Sequence, residues 1–260
     1  DLFFNIDLVF IAILLYLNYL YISNILNMRN FNRNNDELRN VNIEILKDHF
    51  SHGACNINFG LTKILCTATV DDNLPKWLKG KNMGWITAEY SMLPSATETR
   101  VPREITVGKK SSRSTEIQRF IGRSIRSAVD LKALKGIQIL LDCDVIQADG
   151  GTRTASITGA FVALNLALRK LLKKEILKKN PVNNFISSVS CGIVENKALL
   201  DLDYQEDSKA EVDANFVFSE NSEIIEIQAS GEKRPFSKDQ FNDMFILASK
   251  GIQELIIIQK

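Results

Sequence analysis

The residues best suited to chemistry follow a strand-like segment in the middle of the chain. Between residues 142 and 158, alternating strand residues lead into Gly150-Gly151, and Thr152-Arg153 then open a helix. Such a corner exposes backbone N–H groups, and the positive end of the helix dipole favours an anion. The planar guanidinium of Arg153 suits phosphate oxygens. Because the chain has no GxxxxGK[ST] pattern, the sequence predicts a phosphate site that is not a P-loop.

A second helix start carries another arginine. Arg113 lies among small and basic residues at 109–115, just before a helical pattern. Arg113 and Arg153 could therefore hold one phosphate between two helix starts. The alternative is that each arginine caps its own helix or lies at the surface without a shared ligand.

Carboxylates cluster near residue 200. Asp207 falls in a segment typical of a loop, and Asp213 alternates with apolar neighbours at the start of a strand. Two such carboxylates suit Mg²⁺, or Mn²⁺, because these ions prefer oxygen ligands. The alternative is a solvated acidic loop. The full run is Asp201, Asp203, Glu206, Asp207, Glu211 and Asp213.

Basic residues are concentrated in two predicted loops, beside Trp77. Cations with an aromatic ring can follow a single-stranded RNA backbone and stack on a base. Solvated loops or a surface between subunits would explain the same pattern. The cations are Lys76, Lys79, Lys81, Arg100, Arg103, Lys109 and Lys110.

The composition excludes several classes. A net charge of +1 means that any affinity for nucleic acid must come from a local patch. Four dispersed cysteines without a CxxC pattern predict buried thiols in a reducing compartment, here the cytoplasm. Only two histidines are present, which disfavours a histidine zinc site or a Ser-His-Asp triad.

Residues 1–27 differ from the rest of the chain. Residues 8–26 are mostly apolar, without a preceding basic residue, and Arg29 and Arg33 follow them. The length is compatible with a membrane span. The favoured interpretation is that Met28 is the true start and that residues 1–27 are upstream sequence, so we expect no membrane partner.

The remaining pattern predicts the elements that position these residues. Alternation predicts strands near 41–45, 55–59, 64–70, 85–92 and 137–148, and later at 185–194, 199–203, 211–218 and 224–229. Helices are predicted from a Thr115/Gln118 capping box, over 154–177 and after Ser237, with loops at 76–84 and 94–110. We expect one α+β domain over 28–260, with two strand-rich lobes, mixed sheets and packed helices.

Long stretches of the chain resemble the ribonuclease PH family. They read GWITAEYSMLP at 84–94, EIQRFIGRS at 116–124, DCDVIQADGGTRTA at 142–155, LDLDYQED at 200–207 and AEVD at 210–213. The resemblance covers almost all of 28–260. It implies a ribonuclease PH-like β-α-β-α fold and a phosphate-dependent 3′→5′ exoribonuclease that trims tRNA precursors and releases nucleoside diphosphates. It also implies a hexamer built as a trimer of dimers.

The resemblance also implies a role for particular residues. Arg113 and Gly151-Thr152-Arg153 match the family's phosphate-binding residues, and Asp207 and Asp213 match the acidic pair assigned to metal and catalysis. Arg100 and Arg103 match loop arginines that face RNA or a neighbouring subunit. Asp213 or a phosphate oxygen would handle the proton.

Some positions depart from the family pattern. Ser112-Arg113-Ser114 replaces Gly-Arg-Thr, which loses the freedom of glycine at positive φ. Ser95 replaces an arginine, and Lys135-Gly136-Ile137-Gln138 replaces Gly-Glu-Arg-Thr. The phosphate arginines and the acidic pair are retained, so we expect activity. The alternatives are a catalytically silent RNA-binding ring subunit and a protein attached to a membrane through residues 8–26.

Overall fold

The structure is a computed structural model that describes residues 29–108 and 111–260. Asp36–Lys260 form one compact unit, and residues 29–35, with one 3-10 turn at Asn30–Asn32, belong to a separate short unit. The interpretations of residues 1–27, Lys109 and Lys110 lie outside the described residues. The single domain over 28–260 stays a prediction.

The first sheet has five strands in the order β1-β2-β3-β5-β4. The β4–β5 pair is parallel and its other pairs are antiparallel. A parallel pair needs a crossover, and helices α1 (Glu104–Val107) and α2 (Ser112–Ser127) lie within it. The strands are β1 (Val41–Ile45), β2 (Gly53–Phe59), β3 (Thr62–Asp71), β4 (Trp85–Met92) and β5 (Gln138–Gln147).

Helix α3 (Thr152–Lys173) follows β5 and packs against β2 and β3. Within the described part of the chain it is the one helix long and apolar enough to cross a membrane, yet 72% of its most apolar window is buried inside the protein. A core helix that is covered on several sides needs apolar residues all round. Packing therefore accounts for its composition.

The second sheet has four antiparallel strands in the order β7-β6-β8-β9. Helix α3 also contacts β6 and β8, so it is shared by both sheets. Helix α4 (Tyr204–Lys209) lies between β7 and β8 in sequence, and α5 (Lys238–Gln259) packs against β6, β7 and β8. The strands are β6 (Ile186–Val194), β7 (Lys197–Leu200), β8 (Val212–Ser219) and β9 (Ile224–Gly231). The predicted α+β class with mixed sheets is confirmed.

The predicted start of α2 is wrong. The cap is Ser111, whose hydroxyl accepts a hydrogen bond from the Ser114 N–H at 3.0 Å, and not the Thr115/Gln118 pair. Several serines precede Thr115, and the first of them takes the cap. The capping box predicted at Ser237/Gln240 is present.

Other element ends also differ from the sequence pattern. Helix α3 begins at Thr152 and ends at Lys173, and β7 ends at Leu200 because Asp203 caps α4. The predicted loops contain α1 and a 3-10 turn at Lys76–Leu78, whose Leu78 is fully buried. All four cysteines are buried free thiols, as predicted.

Candidate active site

A cleft of about 280 Å³ opens where β5 meets α3, beside α4 and the start of β8. Its lining includes every residue that the sequence singled out for phosphate or metal. These residues are Arg113, Gly151, Thr152, Arg153, Asp207 and Asp213.

The glycine corner adopts a backbone that other residues resist. Gly150 and Gly151 have φ angles of 73° and 63°, in the left-handed region. A Cβ at Gly150 would lie 2.6 Å from the carbonyl carbon of Asp203, so the corner packs directly on the start of α4. The Thr62 hydroxyl donates to the Gly150 carbonyl at 2.7 Å and accepts from the Asp149 N–H at 2.9 Å.

Sequence reasoning missed a buried arginine beneath this corner. Arg39 is 2% exposed, and its Nε and Nη2 donate to the two carboxylate oxygens of Asp201 at 3.0 and 2.7 Å. Its Nη1 donates to the Asp149 carbonyl, and its Nη2 lies 3.4 Å from the Gly150 carbonyl. Burial disfavours the charged form of Arg39, but Asp201, together with Asp149 and Asp203, more than offsets this, and the pKa of Arg39 is raised. The ion pair therefore fixes the carbonyls on the inner side of the corner.

The two predicted arginines reach the cleft from different helices. Arg113 lies in the first turn of α2 and is exposed. Arg153 lies in the first turn of α3, where its Nη1 is 3.3 Å from both Glu116 Oε2 and Gln228 Oε1. These contacts orient Arg153 and leave other guanidinium N–H groups for a ligand. Ser112 does not have a positive φ, so the loss of glycine at this position carries no backbone penalty.

A second residue that the sequence did not reveal is Tyr90. Its hydroxyl lies 2.9 Å from the Thr152 hydroxyl, and both side chains are buried. Burial raises the pKa of Tyr90, although Thr152, Arg113 and Arg153 act in the opposite direction. Tyr90 therefore stays protonated and can donate to Thr152 Oγ1.

The acidic run divides into structural and cleft-lining residues. Asp201 pairs with Arg39, Asp203 and Glu206 form the capping box of α4, and Glu211 pairs with Arg234. Asp207 and Asp213 line the cleft. Asp207 lies on α4 and not in the predicted loop, because the cap at Asp203 starts a helix there.

The environment of both cleft carboxylates favours the neutral form. Burial raises the pKa of Asp207, while Arg113 and Arg153 partly oppose this. Burial, followed by the charge of Asp207, raises the pKa of Asp213 to about 6. Two carboxylates that repel one another beside arginines form a site that a divalent cation would stabilise.

The four predicted RNA-binding residues lie outside this cleft. Lys76 and Lys79 are close in sequence to Trp77, which packs edge-on against Trp85 at the start of β4. Met92, which lines the cleft, is at the other end of β4. A rise of about 3.3 Å per residue places Met92 about 23 Å from Trp85. Arg103 lines a neighbouring depression that shares Met92 with the cleft, and Arg100 is exposed nearby in the same loop.

Backbone amides, a hydroxyl, two arginines and two carboxylates around one cleft define a class of site. The amides, the hydroxyl and the arginines are groups that bind phosphate oxygens, and the carboxylates suit the metal ion of phosphoryl transfer. The fold and the site therefore define a phosphoryl-transfer enzyme.

Family models and relatives agree with this class. Residues 37–169 match domain 1 of the 3′ exoribonuclease family, and residues 184–251 match its domain 2. The chain is 53% identical over 233 residues to ribonuclease PH from two strains of Caulobacter vibrioides, which covers 90% of this chain and 98% of each relative. The chain belongs to the 3′ exoribonuclease family, and its resemblance to ribonuclease PH is confirmed.

Solved structures support the fold. A chain of the Archaeoglobus fulgidus exosome with RNA bound to the active site has a TM-score of 0.77 at 23% identity, covering 94% of this chain and 97% of that one. Rice Rrp46 has a TM-score of 0.69 at 18% identity, and the match covers 89% of this chain and 98% of Rrp46.

Proposed function

We propose that the cleft is where inorganic phosphate attacks the last phosphodiester of an RNA 3′ end. The activity follows from the family: the chain is a phosphate-dependent 3′ exoribonuclease that acts in tRNA processing, and phosphate is its co-substrate. The observation that carries the site assignment is the meeting of Arg113, Thr152, Arg153, Asp207 and Asp213 in one lining. A catalytically silent subunit is not favoured, because both arginines and both carboxylates are present.

Phosphate binding is assigned to the two helix starts. The attacking phosphate would be held by hydrogen-bond donors from both. These donors are the corner amides of Gly151 and Thr152, the Thr152 hydroxyl, and the guanidinium groups of Arg113 and Arg153. These donors come from two helices that are fixed before the ligand arrives, so little reorganisation is needed at the moment of reaction.

The reaction balances without a nucleophilic side chain. A phosphate oxygen forms a bond to the phosphorus of the terminal nucleotide, and the bond from that phosphorus to the preceding 3′ oxygen breaks. The products are a nucleoside diphosphate and an RNA shortened by one nucleotide with a free 3′ hydroxyl. The proton on that hydroxyl comes from the attacking phosphate or from Asp213, whose pKa of about 6 allows it to hold one.

A divalent cation, Mg²⁺ or Mn²⁺, is assigned to Asp207 and Asp213. No described group of three or more His, Cys, Asp or Glu side chains is arranged to hold a metal ion. A carboxylate pair nevertheless fits Mg²⁺, which commonly binds one or two carboxylates plus substrate phosphates. When bound, the ion would neutralise negative charge that develops during the transfer.

The identity of the products tests this assignment. A tRNA transcript with extra 3′ nucleotides is incubated with the protein, Mg²⁺ and phosphate, and the released nucleotides are separated by chromatography. We expect nucleoside diphosphates with phosphate and no release without it. Nucleoside monophosphates would show that water is the co-substrate and would refute the proposal.

We also propose a hexameric, cytoplasmic enzyme. The hexamer rests on the resemblance, and light scattering should give a mass about six times the chain mass of 29.3 kDa. Four buried free thiols favour a reducing compartment. Recovery of the protein in the membrane fraction after cell lysis would contradict the cytoplasmic assignment. The Arg100, Arg103, Lys76 and Lys79 contacts with RNA are part of this proposal and remain to be tested by substitution.

A further inference from the structure

Tyr204 is an exposed aromatic side chain on the rim of the catalytic cleft. Its side chain is 59% exposed although it lines the cleft with Arg113, Arg153 and Asp207. Its hydroxyl makes no hydrogen bond within the described part of the chain, and the ring belongs to neither hydrophobic cluster. The mechanism derived above does not use it.

The backbone of Tyr204 is nevertheless fixed against the phosphate corner. Tyr204 is the first residue of α4, and its N–H lies 3.3 Å from Asp149 Oδ1. A Cβ at Gly150 would come within 2.9 Å of the Tyr204 nitrogen, so corner and helix are in close contact. Tyr204 and Asp207 are three residues apart on α4, a spacing that places both on one helix face.

We propose that Tyr204 stacks on the base of the nucleotide that the enzyme removes. This inference rests on the proposed function, because a scissile phosphate that lies next to the attacking phosphate and the carboxylates would bring its own nucleoside to the cleft rim. An aromatic ring can stack on any base. The contact would therefore hold the terminal nucleotide without selecting its sequence, and the released nucleoside diphosphate would keep the same contact.

The test compares Tyr204→Ala with Tyr204→Phe. Steady-state phosphorolysis is measured with varied RNA at fixed phosphate and with varied phosphate at fixed RNA. Polymerisation from ADP and from UDP is measured separately. For Tyr204→Ala we expect KM for RNA and for the diphosphates to rise about 5- to 160-fold, while KM for phosphate stays within about twofold. Tyr204→Phe keeps the ring and should behave as the parent protein does.

A comparison of ADP with UDP distinguishes the loss of stacking from a general disturbance of the cleft. Purines offer a larger stacking surface, so the loss should be greater for ADP than for UDP. Phe50→Ala is the matched control: Phe50 is fully exposed and lies outside the cleft lining, and its removal should change none of these constants. Melting temperatures of all three variants should match that of the parent protein.

Two results would overturn the stacking role. One is a Tyr204→Ala enzyme with unchanged KM for RNA and for diphosphates; the other is an equal loss in Tyr204→Phe, which would assign the effect to the hydroxyl. Failure of the proposed function is distinguishable, because the parent protein would then release no nucleoside diphosphate at all.

Discussion

Tyr90 and Thr152 share a hydrogen bond behind the proposed phosphate site, and of these two residues Thr152 is the one that lines the cleft. Since burial raises the pKa of Tyr90, its phenol stays protonated and can donate to Thr152. Thr152 is then free to donate its own proton into the cleft. At the scale of a single residue, Tyr90 would thus position the Thr152 hydroxyl for the proposed phosphate binding.

Tyr90→Phe should weaken phosphate binding selectively. The substitution keeps the ring and removes one hydrogen bond, of about 0.5–1.5 kcal/mol, so KM for phosphate should rise about 2- to 12-fold. KM for RNA should not change. Thr152→Val should have a larger effect, and the double variant should lose less than the sum of the two. Equal rises in both KM values would contradict a role specific to phosphate.

The buried carboxyl of Asp213 lowers the stability of the folded protein, and the size of this effect depends on pH. Its pKa in the folded protein is about 6 against a usual 3.8, so the folded state binds this proton more tightly than the unfolded state does. Stability from this group is therefore present at low pH, falls as pH rises from about 4 to about 6, and stays level above that.

Asp213→Asn should accordingly stabilise the metal-free protein above about pH 6 and abolish turnover. We expect a gain on the order of 1–3 kcal/mol at about pH 8, and much less near pH 4, where the carboxyl is largely neutral in the folded state. Urea unfolding at the two pH values in the presence of a chelator measures this difference. A variant that is less stable than the parent at the higher pH would show that ionised Asp213 does not destabilise the folded protein.

At the scale of elements, the Arg39–Asp201 pair ties the glycine corner between β5 and α3 to the segment after β7. Both side chains are buried, and removing one partner of a buried pair leaves an uncompensated charge. Asp201→Ala should therefore reduce stability by about 3–5 kcal/mol, as measured by urea unfolding.

The double variant Arg39→Met/Asp201→Leu separates stability from positioning. Replacing both charges with apolar groups of similar size should recover most of the lost stability. The Asp149 carbonyl would lose the hydrogen bond from Arg39, whereas the Gly150 carbonyl keeps the one from Thr62, so KM for phosphate should remain raised. A double variant with the parent's KM would show that the ion pair supports the fold alone.

Local patterns predicted most strands and placed Arg113 and Arg153 beside helix starts, because alternation and glycine corners act within a few residues. Helix ends were less predictable, since Ser111 and Asp203 compete as caps with neighbouring polar residues. Arg39 and Tyr90 could not be assigned from spacing. Their partners lie 162 and 62 residues away in sequence, and only the folded chain brings them together.

At the scale of the whole molecule, the site draws on both sheets. The phosphate corner extends from β5 of the first sheet, whereas Asp213 belongs to β8 of the second, and α3 packs between the two. No isolated part of the chain holds the complete set of site residues. Loss of either sheet should therefore leave the site incomplete.

Arg153→Ala should abolish turnover and leave the assembly intact. Arg153 is 18% exposed and its contacts, Glu116 and Gln228, are within the same chain, so it presents little surface for a subunit contact. Glu116 is 42% exposed and water can solvate it once the arginine is gone. Light scattering of the variant should give the parent's mass, while release of nucleoside diphosphate falls below detection. Dissociation of the variant into smaller species would place Arg153 at a subunit interface, and unchanged turnover would remove it from the phosphate site.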